Sequence, residues 1–287
     1  RAARARWGVG VGPRLRRGRG ERVDQVASLS GQIAIVTGAS SGIGWHTALA
    51  LARRGCRIVA AARRLERLEQ LGQVVADQGG GDYLAVPCDV ADAAQVGELE
   101  QRVRETWGAA DILVNNAGRG AYGPFVESNL RELEEVIAVN LLGAIYCSRT
   151  FVPAMVARGS GRLVFISSVL GELPAPGHAV YGATKFALTG LAESLDCELA
   201  GTGVEVTLVE PGLVRSEFAA VSRTPLERFD QVPSRSPEEV GKAIAGAIAA
   251  GRWRCVPDVA GRVAIALRRL FPGPARWVVR RVAGRVA

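Results

Sequence analysis

Tyr181 and Lys185 stand four positions apart in the stretch 181–200, whose apolar spacing predicts a helix, so the two side chains share one helix face. That pairing can do proton chemistry. A free phenol has a pKa of about 10 and is a poor base at neutral pH, whereas a neighbouring ammonium stabilises phenolate and lowers that value. Tuned in this way, Tyr181 can give a proton to a carbonyl oxygen or take one from an alcohol. Taken alone, the two residues read first as an ordinary helix pair. The choice of lysine is informative: Lys185 and Lys242 are the only lysines among 36 basic residues. Arginine, effectively never deprotonated and differently shaped, is no equivalent.

A second candidate site is Thr37-Gly38-Ala39-Ser40-Ser41-Gly42-Ile43-Gly44, between an apolar β-branched run at 33–36 and a helical stretch at 43–54. Gly38, Gly42 and Gly44 permit a tight turn and a close backbone approach to a pyrophosphate, and the following helix offers free N–H groups and its positive end. A third signal closes the second strand-like run. An acidic residue there would hold the ribose 2′-hydroxyl of NAD, but the chain reads Ala60-Ala61-Ala62-Arg63-Arg64. Arg63 can form fork-like bonds to a 2′-phosphate, with Ser40 or Ser41 adding a hydroxyl, so NADP(H) is expected over NAD(H). On the plainer reading, Arg63 and Arg64 are solvated charges that open a helix.

The elements that must position these groups follow a regular order. Strand-like segments at 33–36, 57–62, 83–86, 112–114, 163–166, 204–209 and 253–256 alternate with helical ones at 43–54, 65–77, 93–107, 129–157, 181–200 and 237–250. Such alternation predicts an α/β fold, a single doubly wound Rossmann-type domain with a mostly parallel sheet of about seven strands. Ser236-Pro237-Glu238-Glu239 reads as a capping box with proline at the first helical position. The irregular stretch 217–235 before it follows the sixth strand, where the sheet's carboxyl edge should lie, and is a candidate substrate lid or an ordered surface loop.

The motifs together resemble the short-chain dehydrogenase/reductase family: the glycine pattern after Thr37, Asn115-Asn116-Ala117-Gly118 after the fourth strand, the trio Ser168, Tyr181 and Lys185, and Pro211-Gly212 after the sixth strand. The resemblance covers about 29–258. It implies an oxidoreductase that moves a hydride between nicotinamide and a carbonyl or alcohol, with Tyr181 as general acid/base and Ser168 hydrogen-bonding the reacting oxygen. It further implies that Lys185 holds the nicotinamide ribose, that Asn140 maintains a water-linked proton path to the lysine, and that Asp89, followed by Val90, contacts adenine. Val214 and Ser216 match positions that touch the nicotinamide amide; most relatives carry threonine where Ser216 stands. Relatives are commonly dimers or tetramers, so a homo-oligomer is expected. The mostly apolar or small segments 169–180 and 213–235 favour a hydrophobic substrate. The rival reading is a non-catalytic nucleotide-binding protein that docks through its basic ends; the intact trio argues against it.

The 287 residues carry a net charge of +8, and its distribution matters more than its sum. Residues 1–28 hold eight arginines against two acids, and 252–287 hold nine against one, which leaves the body mildly acidic. The first segment, Gly/Arg-rich and aperiodic, reads as a disordered leader, with a targeting peptide as the weaker option. The second, 261–287, reads as a basic amphipathic extension with three possible tasks: packing over the pocket or a subunit interface, peripheral membrane contact, or nucleic-acid contact. The last is not expected, because the tails lack clustered aromatics for base stacking. Five cysteines without a Cys-x-x-Cys spacing point to reduced thiols and a cytoplasmic chain, and two histidines are too few for a histidine-based metal site. Cys88 and Cys197 read as small buried residues, His46 as structural, and His178 as a satisfied loop histidine before a substrate contact.

Overall fold

The run Ile33–Thr37 forms strand β1 and is buried at every residue, as a strand covered on both faces should be. Its alternating side chains part to opposite sides, Ala34 and Val36 into one core and Ile33 and Ile35 into another. The computed structural model describes residues 28–222, 224 and 232–283, so the leader read over 1–28 lies, apart from Ser28, outside the described residues. From β1 the chain runs through α1 (Gly42–Ala52), β2 (Arg57–Ala62), α2 (Leu65–Asp77), β3 (Tyr83–Pro87), α3 (Ala93–Thr106) and β4 (Ile112–Asn115). Helices α4 (Leu130–Ile137) and α5 (Gly143–Arg158), strand β5 (Gly161–Ile166), helix α6 (Ala179–Glu198) and strand β6 (Val204–Val209) follow. The last part comprises β7 (Leu213–Val214), α7 (Glu217–Val221), β8 (Ser234–Arg235), α8 (Pro237–Ala249), β9 (Arg254–Cys255), α9 (Val259–Leu270) and α10 (Pro272–Ala283).

Seven strands form one parallel sheet in the order β3-β2-β1-β4-β5-β6-β9. The chain winds outward from β1 to one edge, returns through β4 and winds to the other. The reversal between β1 and β4 leaves a crevice at the carboxyl ends of those strands. Leu49, Leu51, Leu68, Ile244 and Ile248 fill one core layer, from α1, α2 and α8. Leu99, Phe151, Met155, Leu188 and Ala192 fill the other, from α3, α5 and α6.

Several readings need adjustment. The helix expected over 129–157 is two helices, α4 and α5, joined by a π turn at Ala138–Leu142. The wider turn carries Asn140, whose buried amide donates to the Arg119 carbonyl (2.9 Å) and Thr184 Oγ1 (3.0 Å) and accepts from the Arg119 N–H (2.7 Å). The whole stretch Leu130–Arg158 is long and apolar enough to cross a membrane by length and composition, yet Cys147, Phe151 and Met155 on it pack into the sheet's core. Helix α6 starts two residues earlier than the spacing suggested, and the last strand narrows from 253–256 to β9. The short parallel pair β7–β8 was not foreseen, two residues being too few to show a period. Cys197 is exposed, because it lies off the face of α6 that buries Lys185, Leu188 and Ala192. The capping box forms as read, with Ser236 Oγ accepting from the Glu239 N–H (3.2 Å) and Glu239 returning a bond to the Ser236 N–H (2.9 Å). The boundary read between 260 and 261 falls inside α9.

Candidate active site

Ser168, Tyr181 and Lys185 line one cavity of about 640 Å³ at the carboxyl edge of the sheet, together with Gly38, Ser40, Ser41, Gly42, Ile43, Gly44, Arg63, Asp89, Val90, Asn116, Ala117, Gly118, Pro211, Gly212, Val214 and Ser216; Thr37, Ala39, Asn115 and Asn140 stand behind its wall. Its floor is built where two loops cross. Thr37 Oγ1 donates to the Val114 carbonyl (3.1 Å) and accepts from the N–H groups of Asn116 and Ala117 (both 3.0 Å). Asn116 answers by donating its amide to the carbonyls of Thr37 (2.8 Å) and Gly38 (3.3 Å). This crossing explains two glycines: a Cβ on Gly38 would come 2.8 Å from Ala117 Cα, and one on Gly44 would come 2.4 Å from the Gly38 carbonyl oxygen. Those glycines serve the protein's own packing. The N-terminus of α1 beside them has no capping side-chain bond and no acid in its first turn, so its N–H groups and positive end face the cavity unneutralised.

The catalytic candidates converge from β5 and α6. Ser168 follows β5, and its hydroxyl donates to the Pro211 carbonyl (3.4 Å) and accepts from the Leu170 N–H (3.1 Å). Tyr181 stands near enough to Ser168 for that hydroxyl to favour its phenolate, and the Lys185 ammonium sits 5.6 Å from the tyrosine ring centroid. Lys185 is buried and donates to the Ile166 carbonyl at 2.8 Å. Burial dominates both pKa values. It pushes the Tyr181 phenol up to about 12, against a small pull downward from Ser168, and it lowers the Lys185 ammonium to about 8. The expected lowering of the tyrosine by the lysine does not emerge: burial raises the phenol, and the group that draws it down is Ser168. Beside this group Tyr122, His178, Tyr181 and Phe218 form a chain of tilted and edge-on rings, with centroids 4.9, 6.0 and 5.7 Å apart. His178 is both satisfied, bonding the Ala121 backbone, and in the cavity wall; burial holds its pKa below the ordinary value.

At the other end of the cavity, the Arg63 side chain is 66 % exposed and sits 3.7 Å from Asp89. The arginine turned onto the glycine loop is its neighbour: Arg64 donates twice to Ser40 Oγ, at 3.1 and 3.3 Å. Arg67, one turn further along α2, reaches the Ser40 carbonyl at 3.4 Å. Both also pair with Glu217 of α7, at 3.5 and 3.1 Å.

A family model described as "short chain dehydrogenase" matches residues 32–227. The chain belongs to the short-chain dehydrogenase/reductase family. Among its relatives, a "Dehydrogenase/reductase SDR family protein 7-like" from Drosophila melanogaster is 31% identical over 88% of this chain and 80% of its own. A short chain dehydrogenase/reductase from Burkholderia phymatum, solved in complex with NAD, superposes with a TM-score of 0.79 at 28% identity, covering 84% of this chain and 94% of that one. A short-chain dehydrogenase from Sphingobium yanoikuyae, solved in complex with NADPH, has a TM-score of 0.75 at 29% identity, covering 87% and 95%.

This short-chain dehydrogenase/reductase is therefore an oxidoreductase that uses a nicotinamide cofactor, and its residues fit one. The open N-terminus of α1 suits a pyrophosphate. A Cβ on Gly118 would come within 3.5 Å of Asn140 Oδ1 and 3.9 Å of Lys185 Nζ, so the missing side chain keeps space beside the lysine. The motifs did not reveal Arg64, Arg67 or Glu217, although a second arginine three positions after Arg64 on a predicted helix was a readable sign. Nor did they reveal Asp258. Its buried carboxylate caps α9 and accepts from the Gly212 N–H at 3.0 Å, tying the Pro-Gly turn to the end of the chain. Glu210, fully buried beside that turn, pairs with Arg254, which also reaches Glu172 at 2.9 Å.

Proposed function

We propose that this enzyme is an NADP(H)-dependent reductase/dehydrogenase of a hydrophobic carbonyl/alcohol pair, with Tyr181 as general acid/base. The observation that carries the reading is the group of buried Ser168 and Lys185 with half-buried Tyr181 at the end of a cavity whose other end holds an uncapped helix N-terminus and arginines. The nicotinamide, when bound, supplies or accepts the hydride. The protein's part is to hold the substrate oxygen and move its proton. Ser168 and Tyr181 both present hydroxyls to that oxygen; the raised phenol pKa keeps Tyr181 protonated at neutral pH, the form that donates to a carbonyl. Lys185, anchored on the Ile166 carbonyl, keeps positive charge next to the phenol and favours the phenolate left behind. The apolar wall of Leu170, Ala175, Phe218, Val221 and Val232 supports a hydrophobic substrate and limits water around the reacting oxygen.

The preference for NADP(H) rests on the cluster at Ser40. Arg64 and Arg67 join Arg63 there, and on this reading Arg64 is the principal phosphate ligand, with Arg63 supporting it from the rim. NADPH consumption with a panel of hydrophobic ketones tests the mechanism. It should fall by about 10²–10⁴-fold in Tyr181→Phe, and activity unchanged by that substitution refutes it.

A further inference from the structure

Helices α9 and α10 carry an apolar surface that stands exposed among the described residues. Helix α9 turns Gly261 and Ile265 inward. Val259, Val263, Leu267 and Leu270 lie on its opposite side at i, i+4, i+8 and i+11, and all are exposed, Leu270 to 71 %. Phe271 and, on α10, Trp277 (60 % exposed) and Val278 extend the patch. Helix α10 rests mainly on α9. Exposed apolar residues scattered singly need no explanation; seven on one helical hairpin do.

The charge around the patch identifies what it meets. Arg262, Arg276, Arg280 and Arg281 are exposed and make no ion pair among the described residues, and Arg281 lies over the Trp277 ring at 5.0 Å. No acidic residue follows Asp258, which is buried as the cap of α9. A second copy of the chain docking by a two-fold axis would set this surface against itself and bring the arginines together without a counter-charge. An anionic lipid surface supplies both requirements, acyl chains for the stripe and phosphates for the arginines, with tryptophan at the boundary between them.

We infer that α9 and α10 form a docking face for anionic membrane, on which the enzyme lies with the stripe Val259–Val263–Leu267–Leu270 and Trp277 in the headgroup region. The site and the face are mechanically joined. Asp258 bonds the Gly212 N–H, a Cβ on Gly261 would come 2.8 Å from Val169 Cγ1, and Gly212 and Val169 both line the active-site cavity. Arg269 of α9 pairs with Glu172, just past the loop that carries Ser168. A lipid-borne substrate would thus be met by an enzyme already held at the bilayer.

Co-sedimentation of the full chain with phosphatidylcholine vesicles, plain or containing about a third phosphatidylserine, tests this. Binding is expected only with phosphatidylserine, and it should weaken with added salt. The arginine-rich segment 1–28 could also attract anionic vesicles, so the deciding variant removes apolar groups and no charge. Leu267→Ser/Leu270→Ser/Phe271→Ser should lower vesicle affinity by about tenfold or more, while NADPH oxidation with a water-soluble ketone is kept. A vesicle-induced blue shift in tryptophan emission should vanish in Trp277→Phe. Equal binding of triple variant and parent overturns the inference. So does a dimer, seen by sedimentation velocity, that dissociates in the triple variant, or oligonucleotide binding that the same substitutions abolish.

Discussion

Lys185 carries the clearest pH dependence in the molecule. Its buried ammonium is lowered to about 8, so the positive charge that on the proposed mechanism supports proton donation by Tyr181 is lost as pH rises through that value. Carbonyl reduction should hold level below about pH 7 and decline about tenfold per unit above pH 8. The decline cannot be loss of the fold caused by this residue. Between about 8 and the ordinary lysine value of 10.5 the unfolded chain binds more protons than the native one, so Lys185 makes stability rise with pH there. A kcat/KM profile flat from neutral to alkaline pH would refute the assignment. Ser168 is the second test at this scale. Ser168→Ala removes the hydroxyl that on the proposed mechanism meets the reacting oxygen, and should cost about 10²–10³ in kcat with little change in KM for cofactor, read by steady-state kinetics.

Among the elements, those with a period were legible and those held by single contacts were not. Strands such as β1 and β6 announce themselves through apolar, β-branched runs, because burial on both faces leaves few other residue choices, and the glycine turn announces itself directly after β1. The break at Ala138–Leu142 left no mark, since a π turn costs no glycine or proline in the sequence. Arg63 was the residue that position in the motif suggested, while the contact with Ser40 is made by Arg64, which only the direction of α2 decides. Asp258 was invisible for a similar reason: it lies 46 residues from Gly212, and no local rule connects them. Its replacement shows how an element at the chain's end holds one at the site. Asp258→Ala leaves the N–H groups of Gly212 and Gly261 without their acceptor and α9 without its cap. Urea unfolding should report a loss of about 2–4 kcal/mol, and KM for cofactor should rise as the Pro-Gly turn loosens. Asp258→Asn, which keeps one acceptor oxygen, should recover part of both; an unaltered midpoint in Asp258→Ala would show that the tie carries no energy.

At the scale of the whole molecule, the cofactor cavity spans both halves of the sheet, from Arg64 beyond β2 to Gly212 beyond β6, so ligand binding reports on the entire fold. A ligand that binds only the native state stabilises it by about 2.7 kcal/mol at a hundred times its Kd, about 5–10 °C in Tm for a domain of this size. NADPH should therefore raise Tm by that order, and NADH at the same concentration by clearly less. The difference isolates the 2′-phosphate, because the two cofactors are otherwise alike. It should collapse in Arg64→Ala, whose guanidinium bonds Ser40, and shrink less in Arg63→Ala, whose side chain stands largely in solvent beside Asp89. Glu217 sharpens the comparison, since it competes for the same two arginines from α7. Glu217→Gln should free them and widen the NADPH–NADH gap, whereas a gap unaffected by all three substitutions would place the phosphate elsewhere and remove the basis for choosing NADP(H).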